Sequence, residues 1–530
     1  MNDSPTYGNQ GTGEGYESYV ETLLDVLGAD PGRTALRTAE GCGVTAGELR
    51  DGVHRLAAGL AERGIGRGST VTLLTGNRIE ALLARYAANL LGARAVSLGE
   101  GTAPRAQAEI VHRVDTALLI ILDSAAEPLA DLVEVPVVRI RDAALLGDGD
   151  GDGDGDGDGD GARAAEPVSG RARPEDDWCI RFTGGTTGVP KGIRMAHGPY
   201  RRFLTERVGG LSAGERPRFL ACTPLAHMAG IFADMALMAG GTVVLRDGFD
   251  PADVLTAIGD EGITDLWLLP PLLYELLDHP RLSTAEVGTL RRIVYGGTAV
   301  SARRLRQAAA AFGPVLHGSY GQTEAGCIAE VLPHEHERLV TADGGPAPAG
   351  RAVPGAEIEV RGPDGTVLAA GEAGEVHVRT PMLMTGYWRQ PELTAEVLRD
   401  GWVRTGDVGR LDADGYLYLV DRIKDMVVVV GGHIYPAELE RLLLTHPAVA
   451  GCAVVGVHGA DETEQVRAAV VRAPGYGGTE EELTREVTAF VTEHKGALYA
   501  PRAVHVLDRI PLTDVGKPDK KLLRSTLADR

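Results

Sequence analysis

Apolar residues recur with two alternating periods from about Tyr16 to Asp142. In GELRDGVHRLAAGLAERG (47–64) they fall at helical spacing, and Gly64 stands where a helix would stop. STVTLLTGN (69–77) reads as a buried strand with a turn, IEALLARYAANLLG (79–92) as a second amphipathic helix, and ARAVSLG (93–99) as a second strand. Strand–helix alternation of this kind predicts parallel sheet in an α/β fold. The pattern resumes later with GTVVLRDG (strand), DPADVLTAIGDEGI (helix), TDLWLLPP (strand) and SARRLRQAAAAFG (helix). Near residue 421 it changes to short strands, a helix and a strand, which predicts a smaller α+β unit running to the end. The expected division is a polar tail over 1–15, a core over 16–421 and a small domain over 422–530.

Residues 147–161 repeat Asp and Gly, and seven of the 21 net negative charges sit there. Like charges with no apolar residue cannot form a core, so a disordered surface loop is expected. An EF-hand is excluded, because no register starting on an Asp of the tract puts the required Glu at the twelfth position. The acidic balance gives no general attraction to nucleic acid or to an anionic membrane, so neither is an expected partner. The five cysteines are widely spaced with no C-x-x-C, as for reduced thiols in a cytoplasmic protein. No apolar run approaches bilayer length.

FTGGTTGVPKG (182–192) gathers glycines, three threonines and one lysine after a strand-like DDWCIRF. Bare backbone N–H groups, the hydroxyls of Thr183, Thr186 and Thr187 and the Lys191 cation together suit a polyphosphate. The loop is not a Walker A sequence, since Pro190 stands before the lysine. It resembles the phosphate-binding signature of the AMP-forming adenylating enzymes, which include acyl- and aryl-CoA synthetases, adenylation domains and luciferases. One departure is Gly184, where the usual signature has serine.

Further segments resemble that superfamily in its order. The resemblance implies that YGGTAV, with Gly296, Gly297 and Thr298, contacts adenine. In SYGQTEAG it implies that Tyr320 stacks on adenine beside Gly321, that Thr323 touches the α-phosphate, and that Glu324 holds Mg²⁺. It further implies that Asp407 of TGD accepts from the ribose hydroxyls, that Arg422 of DRIKD reaches the ribose, and that Lys424 is the pivot of a mobile C-terminal domain. Gly431 and Gly432 would meet a pantetheine arm, and Lys517 of PLTDVGKPDKKLL would be the catalytic lysine. Gly185 and Gly188 complete the loop carried over with Gly184 and Lys191. The implied fold is a large N-terminal domain of α/β subdomains with mixed sheets and a small mobile α+β domain.

The implied chemistry is activation of an aryl or medium acyl acid with ATP and Mg²⁺, then transfer to a thiol, first of all coenzyme A. A carrier protein as acceptor, activation of an oxyanion such as nitrite, and a non-catalytic nucleotide-binding protein are the alternatives. His227 stands where the superfamily's acyl pocket begins, and where amino-acid-activating members carry Asp; this argues against an α-amino acid substrate. His334-Glu335-His336-Glu337 lacks the spacing of a helical metal motif and is expected to be a polar loop.

Overall fold

A computed structural model describes residues 16–122, 127–140, 166–183, 191–212, 214–298, 300–336, 347–429, 432–458, 464–513 and 517–528. The tail over 1–15 and the Asp–Gly tract lie outside them. Two compact units form: Met1–Asp250 with Glu261–Trp267 and Pro381–Thr394, and Pro251–Asp260 with Leu268–Thr380 and Ala395–Arg530.

The first unit contains the predicted parallel sheet. Thr70–Leu74 pairs in parallel with Arg94–Ser97 and with Thr116–Ile121; Val137–Arg139 extends one side. On the other side Asp177–Thr183 pairs in parallel with Arg94–Ser97 and antiparallel with Lys191–Ala196, so the sheet is mixed. All five residues of Thr70–Leu74 are buried, as expected for a strand covered on both faces. A second set of strands runs Gly43–Thr45, Thr34–Arg37, Thr242–Leu245, Arg218–Ala221, Asp265–Leu268. Helix Ala46–Glu62 begins on a capping box of Thr45 and Glu48. It ends as predicted at Gly64, whose φ of +79° lets the Gly64 and Ile65 amides reach Ala61 and Leu60 carbonyls.

Helix Ile79–Leu90 differs from its predicted amphipathic form: every one of its residues is buried. Its polar members are each matched inside. Asn89 donates to the Ala93 and Trp178 carbonyls and accepts from the Tyr19 hydroxyl. Arg85 meets Asp234 at 2.5 Å, and Asp234 also accepts from the Tyr86 and Tyr200 hydroxyls at 2.5 Å each. Burial and the neighbouring Asp234 push both tyrosines well above their ordinary pKa, so they remain donors. Trp178 stacks on Tyr200 at 4.0 Å beside this cluster.

The second unit is also rich in paired strands. Arg292–Gly296 runs parallel to Leu316–Gln322, which pairs antiparallel with Gly326–Val331. Glu357–Arg361, Gly374–Arg379, Trp402–Leu411 and Leu417–Arg422 form an antiparallel meander. Val449–His458, Glu464–Arg472 and Ala503–Leu507 form the last sheet, whose core packs Leu439, Leu443, Val454, Val470, Leu483 and Val487 from strands and helices Pro436–Leu443 and Glu480–Lys495. Among the described residues no helix is long and apolar enough to cross a membrane.

Breaking the buried pair should be costly, because it strands one charge in the interior. Asp234→Ala is expected to lower stability by about 3–5 kcal/mol, while Arg85→Met with Asp234→Leu loses much less; urea melts of the two variants check this. His197 is fully buried with neither ring nitrogen partnered among the described residues, and burial lowers its pKa to about 4. The unfolded chain takes up that proton near pH 6.5, so this stabilisation is complete above pH 6.5 and is lost as pH falls toward 4. His197→Phe should flatten the stability curve across that window.

Candidate functional site

Strand Leu316–Gln322 delivers Tyr320 and Gln322 to one carboxylate. Tyr320 Oη donates to Asp407 Oδ2 at 2.5 Å and Gln322 Nε2 donates to the same oxygen at 2.7 Å. Asp407 and Arg422 lie directly opposite each other in the antiparallel pair of Trp402–Leu411 and Leu417–Arg422, and Arg422 Nε is 3.0 Å from Asp407 Oδ1. The Thr405 hydroxyl accepts from the Asp407 amide at 3.1 Å and donates to the Val376 carbonyl at 2.7 Å. Asp407 is 4% exposed, so its charge is held by these donors rather than by water. Burial, then the Asp407 carboxylate, push the Tyr320 hydroxyl well above its ordinary pKa.

Two glycines make close approaches. A Cβ on Gly321 would lie 2.2 Å from the Gly326 carbonyl, so only glycine fits that turn. Gly297 has φ +84°, and a Cβ there would stand 3.8 Å from Lys517 Cε. Lys517 is therefore beside the end of strand Arg292–Gly296. Its carbonyl accepts from the Thr513 amide at 2.7 Å and its amide donates to the Thr513 hydroxyl at 3.2 Å. The Leu512–Pro518 bridge closes the same loop. The next residue after Gly297, Thr298, has a hydroxyl shielded from solvent with no partner among the described residues. An orphaned donor beside bare backbone and a lysine suits a polar ligand atom.

Residues 421–425 are tied to the elements that follow them by polar contacts. Asp421 accepts from the Arg422 and Ala437 amides at 2.7 Å each, the latter in the first turn of Pro436–Leu443. Burial raises the Asp421 carboxyl to about 6 despite these donors. Arg524 pairs with Asp425 at 2.8 Å and Lys520 with Glu440 at 2.9 Å.

The second unit thus gathers Gly296, Gly297, Thr298, Tyr320, Gly321, Thr323, Glu324, Asp407, Arg422 and Lys517. Lys424 and Gly432 follow on the described backbone, while Gly431 lies outside the described residues. Thr183, Lys191 and His227 belong to the first unit. Lys191 Nζ sits 5.5 Å from the Tyr387 ring centre. Gly184, Gly185, Thr186, Thr187 and Gly188 lie outside the described residues. His227 precedes helix Met228–Met238 and lines a cavity of about 30 Å³ with Arg85, Arg181 and Phe182.

Two polar residues, Gln322 and Asn77, carry no signal in the local sequence. Gln322 binds Asp407. Asn77 donates to the Thr223 and Arg246 carbonyls and accepts from the Leu225 amide, fixing the segment that leads to His227. Glu335 and His336 correct the expected polar loop: both are buried. Glu335 accepts from Tyr416, Arg351 and the Leu332 amide at 2.5–2.8 Å. His336 Nδ1 donates to the Leu332 carbonyl, so its Nε2 accepts from Tyr295 at 3.0 Å, anchoring the strand that ends at Gly296. A polar residue inside an otherwise apolar stretch was the available signal only for Asp234 and Arg85.

Residues 25–388 match the AMP-binding enzyme family and residues 438–517 its AMP-binding enzyme C-terminal domain. The chain belongs to the AMP-binding enzyme family. Family members similar to it include a medium/long-chain-fatty-acid–CoA ligase FadD8 of Mycobacterium tuberculosis, 34% identical over 91% of this chain and 85% of that one. A feruloyl-CoA synthase of an Amycolatopsis species is 33% identical over 92% and 94%. Among solved structures, the amide bond synthetase McbA of Marinactinospora thermotolerans is 37% identical, covers 96% of this chain and 99% of that one, and has a TM-score of 0.83. The family's α/β fold with a smaller C-terminal domain is the fold of this chain, and the chain is an AMP-forming ligase of acyl- or aryl-CoA ligase type.

No group of three His, Cys, Asp or Glu side chains among the described residues could hold a metal by itself. A single carboxylate such as Glu324 fits Mg²⁺ that is held mainly by phosphate oxygens and water. Asp407→Ala should raise the Kd for ATP at least about tenfold, because it removes a charged acceptor; calorimetric titration of the full-length protein measures it.

Proposed function

We propose that this ligase converts an aryl or medium acyl acid to its acyl-adenylate and then to a coenzyme A thioester. The observation that supports it most is Lys517 beside Gly297, in the unit that also holds Tyr320, Asp407 and Arg422. A carboxylate oxygen attacks the α-phosphorus of ATP, the bond to pyrophosphate breaks, and negative charge accumulates as reactants meet. Rate then depends on charge stabilisation and in-line positioning. Lys517 would bridge the carboxylate and the α-phosphate, with Thr323 at the same phosphate. Asp407 and Arg422 would hold the ribose, and Tyr320 with Gly296, Gly297 and Thr298 the adenine. Thr183, Thr186, Thr187, Lys191 and the backbone of Gly184, Gly185 and Gly188 would hold the departing pyrophosphate. Mg²⁺ at Glu324 would supply neutralising charge.

In the second half-reaction a thiolate attacks the acyl carbon and AMP leaves. Turning at Lys424 would withdraw Lys517 and bring Gly431 and Gly432 toward a pantetheine arm, whose passage needs bare backbone. His227 would stand at the acyl pocket. A second reading has an amine as acceptor in place of the thiol. It is favoured by the 37% identity to an amide bond synthetase across nearly the whole chain. A carrier protein is a further thiol-bearing acceptor compatible with the same first step.

Lys517→Ala should lower adenylate formation about 100-fold or more, as expected when a charge is removed from the transition state. Gly432→Leu should spare that step and block thioester formation. Mass spectrometry of reactions given coenzyme A or a panel of amines reads the acceptor. A thioester supports the first reading, whereas an amide with no thioester supports the second.

A further inference from the structure

We infer that Gln322 is a positioning residue that sets the Asp407 carboxylate for the nucleotide's ribose, and so tunes the preference for ribose over deoxyribose. The inference rests on the reading of Asp407 as the ribose acceptor. Gln322 Nε2 makes two contacts at once: 2.7 Å to Asp407 Oδ2 and 2.9 Å to the Thr405 carbonyl. One amide nitrogen has two hydrogens, so both bonds are made together and the side chain cannot rotate without losing both. The carboxylate is thereby tied to the backbone two residues before it.

Tyr320 also donates to Oδ2, through a hydroxyl at the end of a ring expected to stack on adenine. Arg422 faces Oδ1 from a side chain that is 44% exposed and next to the hinge. Gln322 joins strand Leu316–Gln322 both to the Asp407 carboxylate and to the backbone of the antiparallel meander at Thr405. With Gln322 in place, both lone pairs of Oδ2 are taken by Gln322 and Tyr320, so the carboxylate keeps a fixed direction and Oδ1, which also faces Arg422, keeps a lone pair for a ribose hydroxyl. Without it, the carboxylate can turn toward Arg422 and the acceptor loses its aim.

The test is calorimetric binding of MgATP and Mg-2′-deoxyATP to full-length protein. Wild-type protein should bind ATP about tenfold more tightly than 2′-deoxyATP, the scale of a hydrogen bond to a charged acceptor. Gln322→Leu should raise the Kd for ATP about tenfold and that for 2′-deoxyATP less than about threefold, so the preference nearly disappears. Gln322→Glu keeps the side-chain shape and places a second carboxyl against Asp407. Like charges that close force one to keep its proton, so the Kd for ATP should rise from pH 6 to pH 8 in this variant and stay flat in the wild type. Asp407→Asn separates the two levels. If it keeps the wild-type preference, the ribose reading fails and the Gln322 role with it. If it loses the preference while Gln322→Leu keeps it, or Gln322→Glu shows no pH response, the Gln322 assignment is overturned and the ribose reading stands.

Discussion

A buried carboxylate with both oxygens engaged, Asp407, organises the strands around it. Asp407 is costly to bury alone, and it is tolerated because Arg422, Tyr320 and Gln322 converge on it. Tyr320 and Gln322 come from one strand and Arg422 from another, so satisfying one charge fixes the relative placement of Leu316–Gln322, Trp402–Leu411 and Leu417–Arg422. The glycines follow from the same crowding. Gly321 must be bare because the Gly326 carbonyl fills the space of a Cβ, and Gly297 must adopt a positive φ next to Lys517.

A second layer of buried polar contacts holds this arrangement in register. Glu335 and His336 tie the strand before Gly296 to Tyr416, Arg351 and Tyr295. Asp421 ties strand Leu417–Arg422 to the first turn of Pro436–Leu443. In the first unit Asn77 fixes the segment leading to His227, and Arg85 with Asp234 fills the centre of the helical layer. Each is a fully partnered network, which in a low-dielectric interior rewards one geometry over its neighbours. A reaction that brings several anions together depends on such fixed donors, since mobile ones would have to reorganise as charge builds up.

The coarse fold was legible because its signals are local. Thr70–Leu74 reads as a buried strand from composition, and Gly64 ends its helix through a conformation that glycine adopts freely. Gly297, Tyr320, Asp407, Arg422 and Lys517 were legible only through ordered motifs resembling a known superfamily; no periodicity distinguishes Asp407 from an ordinary turn aspartate. Gln322 and Asn77, and the burial of Glu335, were not legible, because their partners lie far away in sequence: 85 residues separate Gln322 from Asp407, and 81 separate Glu335 from Tyr416. Helix Ile79–Leu90 misled for a related reason. Its Arg85 and Asn89 looked like a solvent face, while long-range partners allow them inside.

The central claim is that a C-terminal lysine and a fixed carboxylate cluster together let an acid displace pyrophosphate from ATP. Acid-dependent exchange of labelled pyrophosphate into ATP, run with magnesium across benzoates, cinnamates and medium-chain fatty acids, tests it most directly. The account predicts exchange with at least one of these acids and AMP as the nucleotide product. Intact, correctly folded protein that binds ATP yet shows no exchange with any of them, or that releases ADP instead, would contradict it.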